Sequence, residues 1–454
     1  MKQHLPPHPN LAHLRHQAKA LLRQVRSGQA EAIARCREHH PRSLNPAQMS
    51  LSDAQLVIAR EYGFTSWPKL KQYVEGLEAV EQRVSEIRET FARADADTRR
   101  RLLDAGHARE RFENYDPEAA SLSEADARLL VANQEGYAYW QKYDSYLHLD
   151  PSVQRVIDAV RTGNRETLQA ILRDEPWASG PRWVAGFVPP LPIPNDSIPL
   201  FCVSEGSFRG TNARGNEYEL IRDLVAAGAE VDIECGLPLA GAVSFNVIAA
   251  VDALLESGAD VDGVDRDGTP MAYALHFGYT ATAELLARRE AKLDLRFASG
   301  LGRLDAVKHW FNADGSLKPG AGALVDPYAL ERKLRGESPF RCERTRENIL
   351  SQALYFACIH NRLEVADFLL SQRADINAIV PGLDFRATVL HRAAALVAGS
   401  RTSRELETII RFLIERGADP TIRDEEYGAT PLGWARYAGR NEAIELLRSL
   451  GAPE

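Results

Sequence analysis

A recurring segment limits what this 454-residue chain can fold into more than any other feature of it. The stretch LIRDLVAAGAEVD at 220–232 returns as AVDALLESGADVD at 250–262, TAELLARREAKLD at 282–294, VADFLLSQRADIN at 365–377 and IIRFLIERGADPT at 409–421. Each copy is an amphipathic helix with apolar residues at helical spacing, closed by Gly-Ala-Asp or a decayed form of it. The glycine stops the helix in left-handed backbone, and the acidic residue then opens a turn. Shorter helices precede these segments and open with DGTPMAYA at 267–274, ATVLHRAA at 387–394 and GATPLGWA at 428–435. Threonine caps the free amides of such a helix, and proline in its first turn gives up no hydrogen bond. A pair of helices this short cannot bury its apolar face alone, so the copies must stack on one another.

These residues resemble the ankyrin repeat, whose units open with T-P-L-H-x-A, carry an inner glycine and close on G-A-D at a period of about 33 residues. Gly228 and Gly258 are 30 residues apart, Ala259 and Ala291 are 32, and Gly417 and Gly451 are 34. The resemblance covers 151–454 and divides it into about eight units, at 151–180, 197–232, 236–264, 267–294, 295–315, 348–380, 385–424 and 428–452. The first and fifth keep only the helix pair and its inner glycine, Gly163 and Gly302. Two insertions interrupt the array. Residues 176–199 hold seven prolines in 24 residues, too many for a helix, and predict an extended arm lying on the repeats. Residues 312–346 leave room for a short helix at DPYALERKLRG. The implied fold is mostly α, an α-solenoid preceded by a helical domain.

That helical domain fills the first 150 residues. LAHLRHQAKALLRQVRSG at 11–28 reads as one helix ending at glycine, and AEAIARCREHHP at 30–41 reads as a second, stopped by Pro41. SLSDAQLVIAREYGFTSWPKLKQYV at 50–74 then finds a counterpart in SLSEADARLLVANQEGYAYWQKYDSYL at 121–147. With two residues inserted, Gly63 pairs with Gly136, Phe64 with Tyr137, Trp67 with Trp140, Leu70 with Tyr143 and Tyr73 with Tyr146; upstream, Pro41 pairs with Pro117. The match predicts a duplicated unit of some 70 residues, occupying 1–75 and again 76–150. The retained glycine and aromatics are what a turn between helices needs, while Ser66 and Pro68, which chemistry could use, are lost from the second copy. The first copy is similar to a segment that often precedes ankyrin arrays in bacterial proteins.

Signals for chemistry are sparse. The five cysteines (Cys36, Cys202, Cys235, Cys342, Cys358) are odd in number and never in CxxC, which argues against a disulfide framework and a structural zinc site. His13 and His16 share a helix face without nearby cysteine, and few acidic residues lie close enough to complete a ligand set. Cys36 lies beside Arg35, Arg37, His39 and His40, a cationic setting able to lower a thiol pKa, but reads as a structural cysteine on a helix. GxSxG, HExxH and a Walker loop are absent. No enzyme activity, metal or cofactor is therefore expected. No apolar run approaches the roughly 20 residues that span a bilayer, and the first residues lack the apolar core of a signal peptide, so a soluble, cytoplasmic monomer is expected.

Charge is uneven along the chain. Residues 1–75 carry 11 Lys and Arg against 5 Asp and Glu, whereas 76–150 carry 10 against 16. The basic first unit leaves open a reading in which it binds nucleic acid or another acidic surface with the repeats regulating it, although its cations alternate along helix faces instead of forming a patch. Nucleic acid is not the partner expected. The ankyrin resemblance implies instead a protein partner on the concave face, where the exposed first-helix slots fall on Asp158, Arg161, Tyr273, His276, Phe277, Phe356, His360, Arg392, Trp434 and Tyr437. Five of these ten are aromatic, the residues that bury large areas at interfaces for little rotamer entropy. The expected role is a non-catalytic scaffold or inhibitor.

Overall fold

The computed structural model describes residues 5–6, 9–42, 45–104, 121–184, 187–263, 266, 268–322, 343–381, 386–395 and 403–452. Helix dominates it. Among the described residues there is no strand, only isolated bridges joining Leu149 to Trp183 and Phe311 to Leu317. The chain forms two compact units, 1–202 with 226–229, and 203–225 with 230–454.

The first unit begins with α1 (Leu11–Arg26), α2 (Ala30–His39), α3 (Leu51–Glu61), α4 (Trp67–Arg93) and α5 (Ala96–Leu103). It continues through α6 (Glu124–Gln134), α7 (Trp140–Leu147), α8 (Pro151–Arg161) and α9 (Arg165–Asp174). It contains two apolar cores. One gathers α1 to α3 and the start of α4 around Leu14, Leu21, Ile58 and Leu70; the other gathers the rest of α4 with α6 and α7 around Val84, Phe91, Val131 and Tyr143. Both turns that carry the paired sequences have one geometry. Gly63 and Gly136 take φ of 84° and 83°, and the amides that follow, of Phe64 and Tyr137, donate to Ala59 and Ala132 carbonyls at 2.9 Å each. Phe64 packs on Tyr73 at 5.2 Å between centroids and Tyr137 on Tyr146 at 5.5 Å, with interplanar angles of 42° and 39°. Helix α4 runs unbroken through Glu75 and Gly76, so the two cores share one helix and the sequence division at 76 falls inside it. Pro117, and with it the upstream pairing with Pro41, lies outside the described residues.

The proline-rich segment differs from expectation in form, and part of it seats on the first apolar core. It holds two short 3-10 turns, Pro176–Ser179 and Asn195–Ser197, and while the first packs on α8 and α9, Val184 joins the first core and Phe187 packs against it. Backbone bonds tie it there: Asp150 N donates to Arg182 O at 2.7 Å and Val184 N to His148 O at 2.9 Å. Val184 and Phe187 find their burial against the helical domain, while the turn at 176–179 lies on α8 and α9, the first of the expected repeats.

The second unit is a stack of helix pairs. α10 (Pro199–Phe208) and α11 (Glu217–Ala226) lead into α12 (Ile233–Ser244) with α13 (Ile248–Glu256), α14 (Thr269–His276) with α15 (Thr280–Arg288), and α16 (Leu295–Leu301) with α17 (Leu304–His309). There follow α18 (Arg346–Ile359) with α19 (Leu363–Ser371), α20 (Val389–Ala395) with α21 (Ser403–Glu415), and α22 (Pro431–Tyr437) with α23 (Asn441–Ser449). The first helices of successive pairs pack on one another, α12 on α14, then α16, α18, α20 and α22, forming a continuous inner row. The short helix expected at 326–336 lies outside the described residues.

Candidate interaction surface

Capping and backbone shape set the inner row. In the last pair, Thr430 accepts from Gly433 N at 3.2 Å and Pro431 fills the first turn, while Gly439 at φ 64° turns the chain into α23. The tip ahead of α22 is held by Asp424, whose carboxylate accepts from the amides of Glu426, Tyr427 and Ala429 at 2.9, 2.6 and 2.8 Å and from Trp434 Nε1 at 3.0 Å. Burial alone would raise this carboxyl, but these N–H donors hold it below the usual carboxylate range. Trp434 is thereby fixed half-buried, edge-on to His391 at 5.6 Å.

At the other end of the unit, aromatic rings mark the C-terminal ends of inner helices. Phe208 ends α10, Phe245 follows α12 and Phe277 follows α14. Phe208 and Phe245 stack at 4.6 Å and 20°; Phe277 stacks on Tyr273 at 5.9 Å and 18°, and meets Tyr279 at 5.8 Å. Phe208 is 62% exposed, and the other four rings are half-buried. Near α22, Tyr427 is 74% and Tyr437 98% exposed. Large rings at the surface, of which Phe208, Tyr427 and Tyr437 are the most exposed, are apolar area that a partner could cover.

The ten expected slots divide. Tyr437 is exposed, and Tyr273, Phe277, Arg392 and Trp434 are half-buried at the surface of the inner row. Phe356, His276 and His360 are buried at 1%, 2% and 5% exposure and cannot be surface slots. α18 is covered along its length from Ile349 to Ile359, because α16, α19 and α20 all pack on it. His360 contacts the Leu275 carbonyl through Nε2 at 2.7 Å, and His276 Nδ1 meets the Tyr355 hydroxyl at 3.4 Å, so both tie α14 to α18 past the intervening α16. Asp158 and Arg161 belong to the first unit. There Asp158 accepts from Tyr146 at 2.8 Å, and Arg161 donates to the Tyr137 hydroxyl at 2.8 Å and pairs with Asp196 at 3.4 Å.

Phe208, Phe245 and Tyr427 were not among the expected slots. The signal was present as a recurring aromatic in EGSF, AVSF and ALHF at 205–208, 242–245 and 274–277, but α10 and α12 lack the Thr-Pro opening that sets the frame.

Cys36 is 7% exposed, and burial pushes its thiol up, outweighing Arg35, which Glu61 holds bidentately at 2.8 and 2.9 Å. Among the described residues no three of His, Cys, Asp and Glu converge as a metal cluster. No helix among them is long and apolar enough to cross a membrane.

Residues 354–453 match the family model for ankyrin repeats, in three copies. That part of the chain carries ankyrin repeats. An E3 ubiquitin-protein ligase of Arabidopsis thaliana, KEG, is 25% identical over 278 residues, which are 55% of this chain and 17% of that protein. The chain thus spans 17% of the length of that curated relative. Two solved ankyrin repeat domains align at 20% identity. That of Bcl-3, a member of the IkappaB family, covers 65% of this chain and 97% of its own with a TM-score of 0.28; that of human ASB11 covers 55% and 98% with a TM-score of 0.25. Ankyrin repeats are in general protein–protein interaction modules without catalytic chemistry of their own.

Proposed function

We propose that the chain is a non-catalytic scaffold or inhibitor that holds a partner protein against the inner row of its ankyrin array. The observation that carries this reading is the ring row of Phe208, Phe245 and Phe277, with Phe208 62% exposed, together with Tyr427 and Tyr437 at 74% and 98%. Large rings left in water gain most when a partner covers them, and Phe, Tyr and Trp bury area with little rotamer loss. Tyr273, Phe277, Arg392, Trp434 and Tyr437 remain the slots this reading retains, with Phe208, Phe245 and Tyr427 added.

The basic first unit gives the alternative less to work with. Arg26 donates to the Met49 carbonyl at 3.1 Å, Arg60 to that of His39 at 3.3 Å, and Arg35 is bound to Glu61, so several of its cations are spent within the unit. The reading is tested by affinity capture from cells with the wild-type chain and with Phe208→Ala, Tyr437→Ala. The double variant is expected to lose the proteins that the wild type retains; equal recovery by both contradicts it.

A further inference from the structure

A cavity of about 820 Å³ opens in the first unit, between the middle of α4, helix α7 and the proline-rich segment. Its volume lies in the range of about 300–1,000 Å³ usual for small-molecule sites. Its wall is aromatic. Trp140, Tyr73 and Phe187 line it, and Phe187 stacks flat on His148 at 4.3 Å and 13°, with Tyr73 edge-on to the same imidazole at 6.1 Å.

The polar groups around it are unequal in what they have left to give. Arg128 is engaged: it donates bidentately to Glu81 at 2.9 and 2.8 Å and to Glu124 at 3.0 Å, and lies 4.7 Å over the Trp140 ring. His148 Nδ1 is 2.7 Å from the Asp144 backbone carbonyl. Glu78 accepts one bond, from Leu11 N at 3.1 Å. The Asp144 carboxylate is 3.6 Å from His148 Nδ1, and among the described residues no donor reaches it within hydrogen-bond distance. Burial holds this carboxyl above the usual range, with His148 and Arg128 acting against the shift. The Asp144 side chain is 36% exposed, so one part of it faces solvent while no donor among the described residues satisfies it, and a ligand that brings both a charge and N–H bonds can supply what is missing. Arg128 already covers one face of Trp140 and His148 one face of Phe187, so a cation would meet the faces these two leave.

We infer that this cavity binds an organic ammonium ion, an amine on an aromatic or aliphatic body, with Asp144 as its counter-ion and Trp140, Tyr73 and Phe187 as its walls. The test is calorimetric titration of the full chain with 2-phenylethylamine, 2-phenylethanol and 3-phenylpropionate, which share a body and differ in charge. The amine is expected to bind saturably, the alcohol and the carboxylate at least about tenfold more weakly, and Asp144→Asn to weaken only the amine, by about tenfold or more. Binding of none of the three, equal binding of amine and alcohol, preference for the carboxylate, or amine affinity unchanged in folded Asp144→Asn overturns it. Should Asp144→Asn not fold, Leu77→Trp decides, since it fills the cavity from its lining. Lost amine binding then supports the site, and unchanged binding overturns it.

Discussion

Phe208 lies flat against Phe245, ring centroids 4.6 Å and planes 20° apart, while 62% of Phe208 stays open to solvent. An aromatic pair of this kind is worth about 0.5–1.5 kcal/mol beyond its burial. Phe208→Ala, which also gives up the buried third or so of the ring, is therefore expected to lower stability by about 1–2 kcal/mol in urea denaturation, with helix content unchanged. A much larger loss would mean that the ring is framework.

His391 sets a pH dependence for the last repeats. Its Nδ1 accepts from the Thr388 hydroxyl at 2.8 Å and its Nε2 donates to the Ala429 carbonyl at 3.0 Å, an arrangement that needs the neutral ring. Burial holds its pKa below the ordinary histidine value, against the pull of the Ala429 carbonyl and Asp424. The unfolded chain, titrating near 6.5, then takes up the proton first as pH falls. The contribution of the neutral ring is complete above about pH 6.5 and is lost progressively below it. His391→Gln should cost about 1–3 kcal/mol at pH 8 and flatten the slope of stability between pH 7 and 5. An identical slope in the variant would assign the dependence elsewhere.

Arg296, 1% exposed, is bound to Asp294 at 2.6 and 3.0 Å, to Gln352 at 3.3 Å, and lies 4.4 Å over the Phe297 ring. Arg296→Met leaves the Asp294 charge buried without its partner and should cost about 3–5 kcal/mol. Adding Asp294→Asn removes that charge yet keeps an oxygen to cap α16, where Asp294 accepts from the amides of Arg296 and Phe297. The double variant should recover part of the loss in the same denaturation series. No recovery would show that the packing of the guanidinium, not its charge, is what matters.

The helix pairs could be read from the sequence where Thr-Pro and Gly-Ala-Asp bracket them, because caps and left-handed glycines act locally. Gly417 at φ 94° and Thr430 at the head of α22 are where those signals place them. What a stacked neighbour covers was not readable. Phe356, His276 and His360 fall on the inner row at positions that face water in an isolated pair, yet α16, α19 and α20 close over α18, and Tyr355 of α18 meets His276. The seat of Phe187 and Val184 depends on which apolar core lies within reach, a tertiary fact that proline content does not encode. The aromatic helix ends were legible in principle, but only once α10 and α12 were in register with α14.

Thiol accessibility separates the cysteines. Cys36, Cys202 and Cys358 are buried and Cys235 is exposed, and burial pushes the Cys36 and Cys358 thiols up. A disulfide reagent at pH 8 should modify Cys235 well before these three, which react only as the chain unfolds. Rapid modification of Cys36 in the folded chain would restore it as a nucleophile.

The aromatic surface is tested most directly by placing photo-reactive benzoylphenylalanine in turn at positions 208 and 437, at the ends of α10 and α22, and at 364 and 442, on α19 and α23, then irradiating cells that make the protein. Glu364 and Glu442, like Phe208 and Tyr437, are exposed, so accessibility alone does not distinguish the four. A discrete protein adduct is expected from 208 and 437 and not from 364 and 442. Adducts confined to 364 and 442, or none at any of the four, would contradict partner binding along the inner row.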